Sequence, residues 1–381
     1  PHQPIELAEG RVTLDVWRML LSGRLHSRDL ILSNLHLRAR LTDDGRLQVS
    51  GLEGAGRAGL EWLQAFLLNG EHIELSASRV ELVLPDASQR SLRLDLDLRR
   101  EGGRRQLDGQ LYDEDGSRVR VLANGVGNPF RLETFTGELY LDASDIDLQS
   151  LQGAFLSPPP LTFDAGSLGL ELWLSWRNGE PSIEGHVEAT DLLIEPVAGD
   201  WKMPVERIAF DASLVEHRDR WTLYVADLHW VKHGHQLVVP RMQVRLRGDS
   251  VRLRSDRVSL AQLNRALVEL ETTPAQLKHT FRVLQPGGEL QSLQLRIEDY
   301  RRPAKEWMLA ANFREVALDS WKGAPGTSGA AGYLSLGNGG GQAVVDARDV
   351  LLEFPSVYRE PLRYEELFGT VDINWFDDAV V

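Results

Sequence analysis

A strict two-residue period of leucine constrains this chain more than any other feature. Between Ser91 and Arg99 every second residue is apolar, at Leu92, Leu94, Leu96 and Leu98. Successive side chains of a β-strand point to opposite faces, so this alternation predicts a strand with one apolar and one polar face. The period returns along most of the chain, which indicates many strands of the same kind.

Turn residues separate these alternating runs. Glu101-Gly102-Gly103 and the glycine-rich stretch 337–341 predict tight hairpin turns, and Asp43-Asp44-Gly45 predicts another. A slip in the alternation near Ser33 and Asn34 predicts a β-bulge or irregularity. Strand–turn units that recur at roughly 8–12 residues are typical of an antiparallel, mainly β meander.

Three stretches follow a helical period instead. Helices are predicted near 58–69, 259–270 and 274–284. Ser259 is a suitable N-cap for the second, and Thr273 caps the third, with Pro274 at the first helical position. The first helix is apolar nearly all round and should be well covered, whereas the other two place their apolar residues on one side. The sheet is expected to resume directly after the last helix.

Composition excludes several classes of function. The chain has 381 residues, a formal net charge of −14 and no cysteine. An acidic chain is not expected to bind nucleic acid, because a phosphate-binding surface needs excess lysine and arginine. Without cysteine there is no disulfide or thiolate metal site. No apolar run approaches the ~18–20 residues of a membrane span, and both ends suggest a fragment of a longer protein.

Motifs that could form a catalytic, metal-binding or glycan-binding site are better explained by ordinary strand and turn structure. His229, His233 and His235 could bind a metal, but the run contains no carboxylate and is better explained as a hairpin tip. The stretch 113–116 could begin a calcium loop, but the later glutamate is missing. Acidic residues on polar strand phases select no catalytic pair. Trp173 and Trp176 lie on opposite phases of one strand, so they form no common platform for a glycan.

The apolar rows need a partner, and two arrangements are open. An antiparallel sheet can face water on only one side. A second sheet could cover the apolar face, as in a sandwich or barrel with a dry core. Alternatively, the sheet is curled and its apolar inner face is left open for an apolar ligand.

A set of short sequence motifs, each of low specificity on its own, resembles the YhdP family of AsmA-like proteins. They are Phe135-Thr136-Gly137-Glu138-Leu139-Tyr140-Leu141 followed by Asp147-Leu148, the turn 284–290, Ala324-Pro325-Gly326, Phe354-Pro355, Pro361-Leu362 and Gly369-Thr370. Their order is similar to that family over most of the chain, and none of them is a catalytic signature.

The resemblance implies a fold, a function and a location. AsmA-like proteins, including the TamB group, are anchored in the inner membrane by one N-terminal helix and extend through the periplasm. The resemblance implies an elongated, twisted antiparallel sheet, curled into a taco-like hydrophobic groove with a few short helices. It also implies bridge-like transfer of phospholipid toward the outer membrane, with the inner and outer membranes contacted through parts absent from this chain.

We therefore predict one continuous β-groove fragment with rough sub-segments 1–145, 146–256 and 257–381. The expected ligand is phospholipid, with no enzyme activity, cofactor or metal; a periplasmic scaffold or glycan-binding β-protein with a closed dry core is the alternative. The residues predicted to line the groove are Leu92, Leu94, Leu96, Leu98, Leu139, Leu141, Leu168, Leu170, Leu172, Leu174, Leu293, Leu295, Ile297, Leu309 and Phe313.

Overall fold

The computed structural model describes most of the chain. The described residues are 6–22, 27–41, 47–49, 68, 70–83, 89–113, 117–129, 131–148, 161–177, 180–196, 203–217, 220–270, 273, 275–300, 302, 305–376 and 379–380. They divide into two compact units, unit 1 with residues 1–199 and unit 2 with residues 200–381.

Unit 1 contains ten strands, one short α-helix and one 3₁₀ helix (Leu132–Thr134) among its described residues. The strands and the α-helix are β1 (Glu6–Leu14), α1 (Val16–Ser22), β2 (Ser27–Leu41), β3 (Leu47–Val49), β4 (His72–Val83), β5 (Gln89–Glu101), β6 (Arg104–Asp113), β7 (Arg118–Val126), β8 (Thr136–Asp147), β9 (Leu161–Arg177) and β10 (Glu180–Pro196).

The strands of unit 1 pair almost entirely with their neighbours in sequence. From β4 to β10 each strand pairs antiparallel with the next, as the alternation and turns predict. The exception is β2, which pairs antiparallel with β1 and β3 on one side and parallel with β4 on the other. A parallel pair needs a crossover of a dozen or more residues, and the stretch between β3 and β4 is long enough to provide it.

Unit 2 continues the meander and inserts a pair of helices. Its elements are β11 (Met203–His217), β12 (Arg220–Lys232), β13 (His235–Arg247), β14 (Ser250–Ser259), α2 (Leu260–Glu269), α3 (Ala275–Leu284), β15 (Gly287–Ile297), β16 (Trp307–Leu318), β17 (Gly326–Gly337), β18 (Gly340–Glu353), β19 (Leu362–Phe376) and β20 (Ala379–Val380). All its strand pairs are antiparallel and sequential.

Left-handed residues interrupt many of the longer strands. Ala77 has φ of 49°, and the register shifts between Leu75 and Ser78. Its backbone N–H donates to Asp95 Oδ1 at 2.7 Å, so the bulge is fixed by a side chain of the next strand. The extra residue lets the apolar phase change along β4 while β5 keeps an unbroken alternation. Such bulges bend a strand and increase its twist, which curves the sheet.

The helix α2 begins where the sequence places its cap. Ser259 is in an extended conformation, and its side-chain oxygen accepts a hydrogen bond from Gln262 N–H at 3.4 Å. On the far side of the pair, α3 ends at Leu284, and β15 begins at Gly287. The pair therefore interrupts the meander between two strands that remain direct neighbours, β14 and β15.

The predicted fold class is confirmed: the chain is mainly β, antiparallel and has few, short helices. The irregularity near Asn34 is confirmed by its φ of 54°. The helix predicted at 58–69 and the turn at 43–45 lie outside the described residues, apart from Leu68, although the strands flanking that turn pair antiparallel. The three sub-segments of the groove stay a prediction.

Candidate functional site

Strand register in unit 1 brings apolar residues of nine strands into one line. Directly paired residues share a face of the sheet, so successive pairings can be followed from strand to strand. The resulting apolar line 1 consists of Val12, Leu30, Ile73, Leu98, Leu107, Ala123, Leu139, Leu174 and Ile183. Eight steps of about 4.8 Å between strands give it a length of roughly 38 Å.

The ten candidate residues of unit 1 all lie on this face. Leu98, Leu139 and Leu174 belong to apolar line 1, and Leu96, Leu141 and Leu172 form a second, adjacent line. The others continue the same face toward the bulged ends of the strands: Leu92, Leu94, Leu168 and Leu170. All ten are half-buried. Leucines that the sequence places in separate runs thus form one continuous surface.

Unit 2 repeats the arrangement with nine of its strands, β11 to β19. Its apolar line 2 consists of Leu214, Leu223, Val244, Leu253, Leu295, Leu309, Leu336, Gly341 and Ile373. The candidates Leu295 and Leu309 belong to this line, and Leu293 and Ile297 lie on either side of it. These four candidates are half-buried as well.

The remaining candidate, Phe313, lies in a different environment on the same face. It is 8% exposed and packs in a closed cluster with Val258 and Leu290, which are 6% and 7% exposed. Leu260 and Leu263 of α2 pack against this cluster. The helix therefore covers the bulged end of the apolar face, whereas apolar line 2 lies nearer the other end of the same strands.

The burial of the apolar face differs between unit 1 and the part of unit 2 under α2. In the described part of unit 1, each strand makes its extensive contacts with its sheet neighbours. Among the described elements of unit 1, no second layer makes extensive contacts with its leucines, which are half-buried. In unit 2, the part of the apolar face under α2 is buried and the part along apolar line 2 is not.

Two arginines mark one margin of the apolar face of unit 1. Arg100 Nη1 and Arg105 Nη2 donate to the backbone carbonyl of Leu68 at 3.0 Å and 2.7 Å. Burial, together with the neighbouring charge of Arg100, lowers the pKa of Arg105 from its ordinary value. Arg105 Nη1 also donates to Gly127 O at 2.7 Å, so these side chains are held by backbone acceptors.

The opposite face of unit 1 is polar and carries ion pairs. Arg99 donates two hydrogen bonds to the carboxylate of Asp97, at 2.9 Å and 2.7 Å. This pairing holds the pKa of Asp97 below its ordinary value, against the opposing effect of burial. A concavity of about 1080 Å³ lies on this face and spans β4 to β10. Most of its lining residues come from the strand phase opposite to the leucines, and Leu75, Leu96, Leu107, Ala123, Leu139 and Leu174 of the leucine phase contribute as well.

The structure also shows a contact that the sequence pattern missed. Trp173 and Trp176 do lie on opposite phases of β9, as predicted. Trp173, however, has an aromatic neighbour across the strand pair: its ring centroid is 5.1 Å from that of Tyr140 on β8. A separation of 33 residues hides this pair from any local pattern, and only the register of β8 against β9 reveals it.

The histidine run of the sequence lies at a hairpin of unit 2. His233 lies in a hairpin turn, as predicted, and His235 directly follows that turn. The two rings approach the carboxylate of Glu269 at 3.6 Å and 3.1 Å. In the described part of the chain, no group of three His, Cys, Asp or Glu side chains is arranged to hold a metal ion. Within that part, every helix is too short or too polar to cross a bilayer.

A largely antiparallel sheet with one polar face and one face of aligned apolar residues defines a class of β-proteins that present an apolar surface. The chain belongs to the YhdP family, whose model, described as YhdP protein, matches residues 1–380. A curated relative, the intermembrane phospholipid transporter YhdP of Escherichia coli (strain K12), is 23% identical over 411 residues; the match covers 98% of this chain and 30% of the relative. No solved structure matches the chain.

Proposed function

We propose that this chain is part of a bridge that transfers phospholipid between membranes, with acyl chains lying on an open leucine face in each unit. It acts as a surface for lipid and not as an enzyme. The family membership and the name of the curated relative support phospholipid as the cargo. The chain spans about 30% of that relative, so the remaining parts would make the membrane contacts.

One observation carries this proposal: apolar residues of nine strands of unit 1 align in register, and the five leucines among them are half-buried. A dry sandwich needs a second layer over such a face, and the described part of unit 1 provides none. An apolar line of roughly 38 Å is longer than one leaflet of a bilayer core, which is about 15 Å, or half of ~30 Å. A single acyl chain can therefore lie along it completely.

The energetics explain why a continuous apolar surface is useful. Exposing an acyl chain to water costs about 0.8 kcal/mol per CH₂, or roughly 12 kcal/mol for a ~16-carbon chain. A lipid that slides along leucine side chains avoids most of this cost. Because one residue type dominates the surface, no position binds the chain much more tightly than its neighbours. A uniform leucine surface therefore lets a lipid slide along it and does not hold the lipid at one position.

The location follows from the same proposal. We place this chain in the periplasm, as part of a protein anchored to the inner membrane, with lipid moving toward the outer membrane. The fifteen residues predicted from the sequence are the candidate lining. Phe313 would contact lipid only if α2 moved away, since it lies in the cluster that α2 covers.

Site-specific photocrosslinking tests the proposal at neighbouring residues of one strand. A photoreactive benzophenone amino acid replaces Leu172 in one variant and Glu171 in the other, in cells that synthesise the chain. Leu172 lies on the leucine face, and Glu171 is exposed on the polar face. We expect phospholipid adducts at position 172, detected by mass spectrometry, and at least ten-fold fewer at position 171. Equal adducts at both positions, or none at 172, would refute the lipid path here.

A further inference from the structure

We propose that the polar face of unit 1 carries a binding site for a neutral oligosaccharide, independent of the lipid path on the opposite face. The site is the concavity that spans β4 to β10. Its volume of about 1080 Å³ lies slightly above the usual range for small-molecule sites, about 300–1,000 Å³, as suits a ligand of several sugar units. A twisted sheet is saddle-shaped, so a hollow on this face is compatible with an apolar surface on the other.

An exposed aromatic pair forms one wall of the concavity. Trp173 is 50% exposed in the middle of β9, although an indole at such a position normally finds cover. Tyr140 lies beside it at 5.1 Å between centroids, with an angle of 44° between the ring planes. The two rings offer a rigid apolar surface with few degrees of freedom to lose on binding. The C–H face of a pyranose ring is the complementary partner.

The polar side chains around the aromatic pair suit hydroxyl groups. Amides that can both donate and accept hydrogen bonds line the concavity at Gln106, Gln110 and Asn124. Asn124 Nδ2 already approaches Glu138 Oε2 at 3.4 Å, which orients both side chains. Sugar hydroxyls are donors and acceptors at once, so a mixture of amides and carboxylates satisfies them better than a site of one charge.

The net negative charge of the residues that line the concavity disfavours anionic ligands. Two arginines line the concavity, Arg99 and Arg177, against six carboxylates: Glu74, Asp95, Asp97, Asp108, Glu138 and Glu184. Arg99 is already bound to Asp97, so it is not poised to receive a phosphate. Phosphate headgroups and acidic polymers would be repelled. An uncharged chain of sugars meets neither repulsion nor the cost of stripping water from an ion.

Saturation-transfer NMR with chitotetraose and maltotetraose tests the proposal on the purified chain. We expect saturation of the sugar ring protons, and a loss of at least ten-fold in binding for Trp173→Ala. Trp176→Ala is the matched control, since Trp176 lies on the same strand but on the other face, and it should bind normally. Trp173→Phe keeps a ring and should retain most of the binding, which separates stacking from a folding defect. Comparison of the two sugars shows whether the acetamido group contributes.

Three results would overturn the inference. The unmodified chain could fail to bind either sugar at millimolar concentration. Trp173→Ala could bind as well as Trp176→Ala, which would place any binding elsewhere. Spermine could bind at this concavity and displace the sugar signal at low concentration, which would make the site one for polyamines. None of these results bears on the lipid crosslinks at position 172, so the two proposals fail separately.

Discussion

At the scale of single residues, Leu172 separates an open apolar face from a closed core. It pairs with Leu141 and Gly185 and is half-buried. In a closed sandwich, Leu172→Asp would bury an unpaired carboxylate and cost several kcal/mol. On an open face the carboxylate stays hydrated, so we expect a loss of about 1 kcal/mol. The purified variant should fold but carry several-fold less phospholipid after extraction.

The neighbouring residue supplies the control for this substitution. Glu171→Gln changes the exposed polar phase of the same strand, and it should alter neither the melting temperature nor the lipid content. If Leu172→Asp unfolds the chain, the surface at this line is closed. If the variant folds and keeps its normal lipid content, lipid does not lie along this line. Both measurements are needed, because stability alone does not report on the path.

At the scale of elements, a buried lysine fastens α2 to the sheet. Lys232 is 2% exposed at the end of β12, and its Nζ donates to the backbone carbonyl of Glu269 at 3.1 Å. The last carbonyls of a helix have no partner within the helix, and a positive charge is favourable there. This contact holds the end of the helix whose Leu260 and Leu263 cover the buried cluster of unit 2.

Lys232→Met is expected to loosen the end of α2 without removing the packed stem of the side chain. A hydrogen bond to a charged group contributes about 1.5–3 kcal/mol. The amide of Leu270, which donates to Ala266 O at 3.0 Å, should therefore exchange with deuterium at least ten-fold faster. Lys322→Met, at an exposed lysine, is the control and should leave this exchange rate unchanged. Unaltered exchange in Lys232→Met would mean that packing alone fixes the helix.

Periodicity predicted the elements well and their mutual positions poorly. The alternation between Ser91 and Arg99 identifies a strand and its two faces, because the side-chain period of a strand is two. Which residue of the next strand lies opposite depends on turns and bulges that local pattern does not reveal. The pairing of Tyr140 with Trp173 and the parallel pairing of β2 with β4 were missed for this reason. For the same reason, the sequence does not predict the hydrogen bond from Lys232 to the backbone carbonyl of Glu269.

At the scale of the whole molecule, charge limits what this chain can do at a membrane. The chain has 42 lysines and arginines against 56 aspartates and glutamates, a formal net charge of −14. Attraction to anionic lipid amounts to about 1 kcal/mol for each basic residue near the surface, and an acidic chain lacks that attraction. On the proposed function the leucine face carries lipid, and the negative net charge predicts that the chain itself does not dock on anionic headgroups.

We therefore expect that the purified chain does not sediment with vesicles rich in phosphatidylglycerol, at low or high salt. It should still carry phospholipid supplied in detergent, because loading depends on the leucine face and not on headgroup contacts. Vesicles of phosphatidylcholine are the control for charge and should give the same low background. Sedimentation with the anionic vesicles that disappears as salt rises would reveal a basic docking surface that net charge conceals. It would also mean that this chain reaches a membrane without the other parts of a longer protein.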